Sequence, residues 1–380
     1  MRELTSCKPR QQFYSSRQFG YSLRAFRSKE AGGTSLVHRQ SAPPRFRSGV
    51  LACYTEVARF LQLDAYSILR QANIDPRWVD DPTGWLPAKS VAKVLDVSAT
   101  LSGRDDFGII VADCQSVRAL GPFSLLVQHE PTVRGIITSS IEFRRTISDT
   151  IIINFEETGD AALLAFDFVT ERTSPQLANL VVAIACNVLS EATVGRWRPR
   201  AVHFRHGAPS HQRTFSEFFG CPISFQDEFD GWSCEVADLE ITTVGANDEL
   251  AAYARHLLYL TPEMSGTAAF RSDVYGAMYL LMKHGTVTLE RTAAHLGMSP
   301  RSLQRRLDQE GQSFTNLLND LRRNVAQRTL AHSSKPISEI AYSLGFSSQG
   351  SFARWFTRYF GCSPSVWRSQ RLKERGSESA

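Results

Sequence analysis

Soon after residue 50, apolar side chains recur at helical spacing: Tyr54, Val57, Ala58 and Leu61, then Ile68 and Leu69. Steps of three and four residues place them on one face of a helix. Val91, Val94, Leu95 and Val97 predict a further helix, and residues 132–146 another. The period then changes. Residues 150–156 and 161–169 read as two strands joined by Glu157-Thr158-Gly159-Asp160, a hairpin signal with Gly in its turn. Residues 177–192 predict a buried helix. Its strongly apolar stretch, 177–189, includes Asn179 and Asn187 and is shorter than the roughly 20 residues a bilayer requires. Residues 201–205 and 223–225 read as short strands. Asn247 is placed to cap a helix that runs to Leu260, and Thr261-Pro262-Glu263-Met264-Ser265-Gly266 then breaks the pattern. From Asp273 onward strand signals vanish. That block reads as helical, cut by Gly285, Gly297, Gly311, Pro336, Gly345 and Gly361.

Two pieces of the helical block repeat each other. Ala293-x-x-Leu296-Gly297-Met298-Ser299 matches Ala341-x-x-Leu344-Gly345-Phe346-Ser347. After one inserted residue, Leu303, Arg305 and Leu307 match Phe352, Arg354 and Phe356. Each copy describes two helices and a tight turn. The small Ala allows close helix approach, and the Gly ends the first helix by adopting the left-handed conformation cheaply. Ser299 and Ser347 are placed to cap the next helix, and Pro300 suits its first turn. This is a helix-turn-helix layout, whose second helix can enter a DNA major groove.

The faces agree with that use. At about 100° per residue, Leu303 and Leu307 point inward, leaving Arg301, Gln304, Arg305 and Asp308 opposite. In the second copy Phe352, Phe356 and Tyr359 point inward. Gly350, Arg354 and Thr357 lie opposite, with Gln349 and Ser351 near the helix start. Arg fits guanine edges and Gln fits adenine edges. Trp355 and Trp367 share the helical spacing of Phe352 and Phe356 and read as core. Between the copies an amphipathic helix over residues 313–330 carries Phe314, Leu317, Leu318, Leu321 and Val325 on one stripe. At 1.5 Å per residue it is about 27 Å long, a spacer able to hold two reading helices about one DNA turn apart. On it, Arg322 and Arg323 are read as making local ion pairs, Arg322 with Asp320 or Glu339.

Here the chain resembles a family. Phe314-x3-Leu318-x3-Arg322-x3-Ala326-x3-Leu330 is similar to the linker helix of AraC/XylS-type transcriptional regulators. Ile337-Ser338-Glu339-Ile340-Ala341-x3-Gly345-Phe346, then Ser348-x3-Phe352-x-Arg354-x-Phe356-x4-Gly361-x2-Pro364, resembles their signature. The resemblance covers residues 273–370. It implies base contacts by Arg301, Gln304 and Arg305 and by Gln349, Ser351 and Arg354. Ser299, Ser302, Ser348 and Arg358 complete the candidate DNA-binding set. Arg358, Arg368 and Arg371 are phosphate candidates, the alternative being solvated charge. Upstream, Leu120-Gly121-Pro122-Phe123-Ser124-Leu125-Leu126 with Pro131-Thr132-Val133, Arg198-Pro199-x2-Val202-x-Phe204-x-His206-x2-Pro209 and Phe219-Gly220-Cys221-Pro222-Ile223-x-Phe225 resemble the arabinose-binding-like effector domain of ornithine-utilisation-type members. The resemblance implies double-stranded promoter DNA, a small-molecule effector, RNA polymerase and a second copy of the chain as partners. Activation is the usual mode.

Charge sharpens this picture. Residues 1–49 hold 10 Lys and Arg against 2 Asp and Glu, residues 50–269 hold 17 against 28, and residues 270–380 hold 16 against 8. A basic helical block on an acidic body expects a polyanion. The seven scattered cysteines form no CxxC pair, so a disulfide framework is not expected and a reducing cytoplasm fits. The expected architecture is an α+β N-terminal effector domain followed by an all-α domain with two helix-turn-helix motifs. Residues 1–49 form a basic tail, with a mistaken start or a transit peptide as competing readings. The effector and dimerisation domain spans 50–240, a helix and linker 241–271, the DNA-binding domain 272–372, and a disordered end 373–380. His203-x2-His206 with His211 and Cys221 fits no zinc spacing and reads as packing or surface. Cys221 or Cys234 as a nucleophile finds no supporting motif. No metal, cofactor or catalytic residue is expected. Two alternatives remain, a small-molecule enzyme or an interaction protein with an accessory helical DNA-binding module.

Overall fold

A computed structural model describes residues 44–79, 81, 83–168, 174–264, 267–283, 287–332 and 335–377. The residues of the expected tail before 44 lie outside this set. Strand β1 (Arg45–Arg47) belongs to the fold, where the sequence pattern predicts tail. It pairs antiparallel with β2 (Trp85–Pro87). The reason is Arg47, which is almost fully buried. Its guanidinium donates to the carbonyls of Thr146 at 3.0 Å and Thr83 at 2.7 Å, pairs with Glu263 at 3.2 Å and lies 4.3 Å over the Trp85 ring. These partners are distant in sequence, so locally the stretch reads only as basic and polar.

Helices α1 (Tyr54–Phe60), α2 (Ala65–Gln71), α3 (Ala88–Ser102), α4 (Phe107–Asp113), α5 (Phe123–His129) and α6 (Val133–Glu142) follow. The helix expected over 132–146 stops at Glu142, and a short 3-10 turn takes over at Arg144–Thr146. β3 (Ile151–Thr158) and β4 (Ala161–Phe168) form the expected hairpin, Ile151 opposite Phe168. α7 (Pro175–Ala192) is capped by Ser174, whose hydroxyl accepts from the Leu177 amide. It packs against α3 and α4. By length and apolarity it could cross a membrane, but most of it is buried in this core.

β5 (Ala201–Phe204), α8 (Gln212–Phe219), β6 (Ile223–Phe225) and β7 (Asp230–Glu235) complete a sheet of order β3-β4-β7-β5-β6. β5 and β6 run parallel, which the crossover through α8 permits. β7 was not read from sequence, because Asp230-Gly231 opens it against strand propensity. Its Trp232 and Cys234 are nevertheless fully buried, Trp232 edge-on to Trp197 at 4.9 Å. α9 (Asp248–Tyr259) starts where expected, with Asn247 accepting from the Leu250 amide at 3.0 Å.

The C-terminal part contains α10 (Thr267–Lys283), α11 (Leu289–His295), α12 (Pro300–Gln309), α13 (Phe314–His332), α14 (Ile337–Ser343), α15 (Gln349–Phe360) and α16 (Pro364–Ser377). Met278, Leu303, Leu307, Leu321, Ile340 and Phe352 share its core. α10 begins before residue 272, the expected domain start. α16 runs to Ser377, so most of the end expected to be disordered is helical; Arg, Leu, Lys and Glu there are good helix formers. The two parts touch. Ile152 of β3 enters the helical core. Tyr279 of α10 donates to Asp167 of β4, which also takes Arg205 at 2.8 Å. Lys335 pairs with Glu228 at 3.0 Å.

Candidate nucleic-acid interface and internal cavity

The two repeats fold identically at their turns. Gly297 and Gly345 both have positive φ, at 65° and 75°. Met298 donates its amide to Ala293 O at 2.8 Å and Gly297 to Ala294 O at 3.1 Å. Phe346 donates to Ala341 O at 3.0 Å and Gly345 to Tyr342 O at 2.9 Å. These paired bonds satisfy the last carbonyls of α11 and α14.

In the first copy Ser299 caps α12, accepting from the Ser302 amide at 3.1 Å, with Pro300 in the first turn. Leu303 and Leu307 are fully buried. Arg301 and Arg305 are exposed and form no ion pair with a described residue. Gln304 is half-buried and donates to Asp308 at 2.9 Å. Arg306 turns back, its guanidinium 4.1 Å over the Phe270 ring.

The second copy corrects one cap. Ser348, not Ser347, starts α15, in a reciprocal box with Ser351. The inserted residue therefore falls in the turn, before the helix begins. Phe352 and Phe356 are fully buried among Phe346, Trp355, Phe360 and Trp367. Gln349, Gly350, Arg354, Thr357 and Arg358 are exposed, and neither arginine is ion-paired with a described residue. Tyr359, expected inward, is 40% exposed and lies against Arg323 at 5.2 Å. Seven residues on from Phe352 it keeps nearly the same angular position, about 20° away, and lies at the outer edge of the stripe against Trp355, ring centroids 5.2 Å apart.

Arg322 was expected to find Asp320 or Glu339. Asp320 pairs with Arg323 instead. Arg322 donates to Leu344 O at 2.9 Å and Gly345 O at 3.2 Å and lies 4.4 Å over Phe346. Burial lowers its pKa. It thus clamps the linker helix α13 to the C-terminal carbonyls of α14, where a cation is favoured. Arg368, a phosphate candidate, is half-buried and donates to Lys335 O at 2.8 Å. The side chain of Arg371 lies outside the described residues.

A cavity of about 100 Å³, partly open to solvent, lies in the N-terminal domain. No local pattern reveals it, because its walls come from residues between 46 and 232. Phe123, Ile136, Ile137, Ile184, Val188 and Phe166 make most of it apolar. Gln115 donates to the carbonyls of Val50 and Ala52, while its Oε1 is buried without a described partner, as is the Trp232 Nε1. Arg47 and Arg144 also line it. A concave site with apolar walls and a few polar groups suits a small molecule. Its lining brings together no carboxylate, imidazole or thiol, the groups acid–base or nucleophilic chemistry would need.

The histidines do not converge. His203 faces Asp227 at 2.9 Å, His206 lies 2.7 Å from Asn179 Oδ1, and His211 faces Asp105 at 2.6 Å. Asp105, Asp106 and His211 are close enough to hold a cation. Yet Asp105 already accepts from the amides of Ser210 and His211, and Asp106 from Arg104. Burial pushes the thiols of Cys221 and Cys234 up to about 11, so neither supplies thiolate at neutral pH.

Comparison with known proteins agrees with both halves. Residues 63–242 match the arabinose-binding N-terminal domain of AraC transcription regulators, and residues 292–370 match a helix-turn-helix domain. The chain is 36% identical over 340 residues to the uncharacterized HTH-type transcriptional regulator Rv1395 of Mycobacterium tuberculosis, covering 82% of this chain and 93% of that one. It is 27% identical to the regulator VirS of M. tuberculosis (83% and 94% covered) and 24% identical to the ornithine utilization regulator of Pseudomonas aeruginosa (80% and 91%). With a duplicated helix-turn-helix behind a cavity-bearing N-terminal domain, the chain belongs to the AraC family of DNA-binding transcription regulators.

Proposed function

We propose that α12 and α15 are the two reading helices of this regulator, set in adjacent major-groove segments of one promoter duplex. Arg301, Gln304 and Arg305 read bases from the first, and Gln349, Ser351 and Arg354 from the second. The observation that carries this is the pair of matching faces, whose arginines are exposed and unpaired with described residues. Ser299, Ser302 and Ser348 are engaged in caps. They therefore present helix N-termini to phosphates, where backbone amides favour an anion. Arg358 adds a phosphate contact. The cavity receives a small-molecule effector, and its apolar walls favour a mainly apolar one.

The chain acts in the cytoplasm as an activator that contacts RNA polymerase, and it does so as a homodimer. The scatter of the cysteines along the chain, with no CxxC pair, supports a reducing compartment. Dimerisation is supported by α9. Its Ala251, Ala254 and Leu258 pack inward, while Leu250, Tyr253, Leu257 and the following Leu260 are exposed at steps of three, four and three residues. That spacing makes a seam for a second helix.

Footprinting and competition binding test the DNA reading. Arg305→Ala and Arg354→Ala should each weaken the specific site by about 1–3 kcal/mol while leaving random DNA nearly unaffected. Equal loss on both would refute base readout by these residues.

A further inference from the structure

Arg144 lines the cavity, and its guanidinium also donates to Asp273 of α10 at 3.2 Å. Arg145 takes the other oxygen of the same carboxylate at 3.1 Å. Two guanidiniums thus share one carboxylate. Neither is well solvated, with side chains 16% and 11% exposed. Arg47, the other cavity arginine, is already balanced by Glu263. One positive charge at the cavity wall is therefore left without a described counter-charge. Burying an unbalanced charge is expensive, and an anionic head at this part of the cavity wall would offset it.

We propose that the cavity takes an amphipathic monocarboxylate, its apolar body among Ile136, Ile184 and Val188 and its carboxylate on Arg144, so that occupancy is coupled through Asp273 to the first helix of the DNA-binding domain. This rests on reading the cavity as the effector site and names the ligand's class. Burial lowers the pKa of Arg145; Asp273 opposes this, and the neighbouring Arg144 adds a smaller lowering. Gly276 faces the same spot: a Cβ there would lie 3.5 Å from Arg144 Nη2, so α10 offers no side chain between its backbone and the guanidinium. Because coupling is reciprocal, a ligand that engages Arg144 changes the hold of Asp273, and loss of Asp273 changes ligand affinity.

The test is calorimetric titration of the full chain with decanoate, and with 1-decanol as the neutral analogue. Decanoate should bind at least tenfold more tightly than decanol. Arg144→Gln should remove that preference. Asp273→Asn should strengthen decanoate about tenfold and leave decanol unchanged, because it frees both guanidiniums. That gain keeps the proposal testable even if Arg144→Gln fails to fold. No decanoate binding, equal binding of decanol, or no change in Asp273→Asn overturns the anionic class. Ile184→Trp separates the two readings. If it blocks both probes, the cavity is the binding site whatever the head group. If decanoate binds undiminished, it binds elsewhere and the cavity reading itself falls.

Discussion

Arg322→Met removes a guanidinium but keeps an apolar stem against Phe346. The structure sets the size of the effect. Two hydrogen bonds from a charged donor, to Leu344 O and Gly345 O, are lost together with the contact over the Phe346 ring. Bonds to charged groups contribute about 1.5–3 kcal/mol each, and a ring contact about 1 kcal/mol. Gly345 is only half-buried, so its carbonyl recovers water and part of the loss is offset, whereas Leu344 is fully buried. The net cost should be about 3 kcal/mol, borne by the second helix-turn-helix. For a domain near 100 residues that lowers the melting temperature by roughly 10–20 °C. Differential scanning calorimetry reads the melt, and competition binding reads the ratio of specific to random DNA. Well below the transition that ratio should stay close to wild type, because Arg322 faces α14 rather than solvent. An unchanged melt with weaker binding to all DNA, and a salt slope reduced by about one, would make Arg322 a phosphate contact and refute the clamp.

Other substitutions probe the turns and the sheet. Gly297→Ala meets nothing within 4 Å, so its cost is conformational, about 1–2 kcal/mol for φ near 65°, and Gly297→Asn should recover part of it in urea denaturation. Ser348→Ala should cost about 0.5–2 kcal/mol, whereas Ser347→Ala should be near neutral; the reverse order would restore Ser347 as the cap. His206 has a pKa lowered chiefly by burial, so the unfolded chain binds its proton first. Stability should therefore fall as pH drops from about 6.5 toward the lower folded value and then level off as far as His206 is concerned, a dependence measured by urea melts and lost in His206→Gln.

The helical domain was legible because its information is local. The Gly297 and Gly345 turns, the Ser299 cap and the Leu303–Leu307 stripe each need only a few consecutive residues, and repetition made coincidence implausible. The errors there came from shifts of one or two positions. The inserted residue moved the cap to Ser348, and Tyr359 sits at the end of the stripe, where Trp355 and Arg323 cover only part of its ring. Arg322 and Arg323 occupy neighbouring positions on α13, and the pattern gave no means of deciding which would find Asp320. In the N-terminal domain the hairpin and α7 were legible for the same local reason, and β7 was not. Trp232 and Cys234 earn their place by packing against Trp197 and β4 rather than by strand propensity.

The cavity and its charge imbalance lay beyond any local signal. Arg47, Arg144 and Asp273 are unremarkable as isolated letters, and their meaning comes from contacts that span roughly 130 to 220 residues of chain. The same asymmetry explains why the two halves of a regulator read so differently. A DNA-reading surface must present unpaired side chains outward, and a helical period reveals which face that is. A ligand-binding interior is assembled from whatever side chains the fold brings together, so neither its volume nor its net charge exists before folding. Arg144 belongs to both halves at once, facing the cavity and holding α10 through Asp273. A signal between domains needs such a residue, whose best partner depends on whether a competing anion is present.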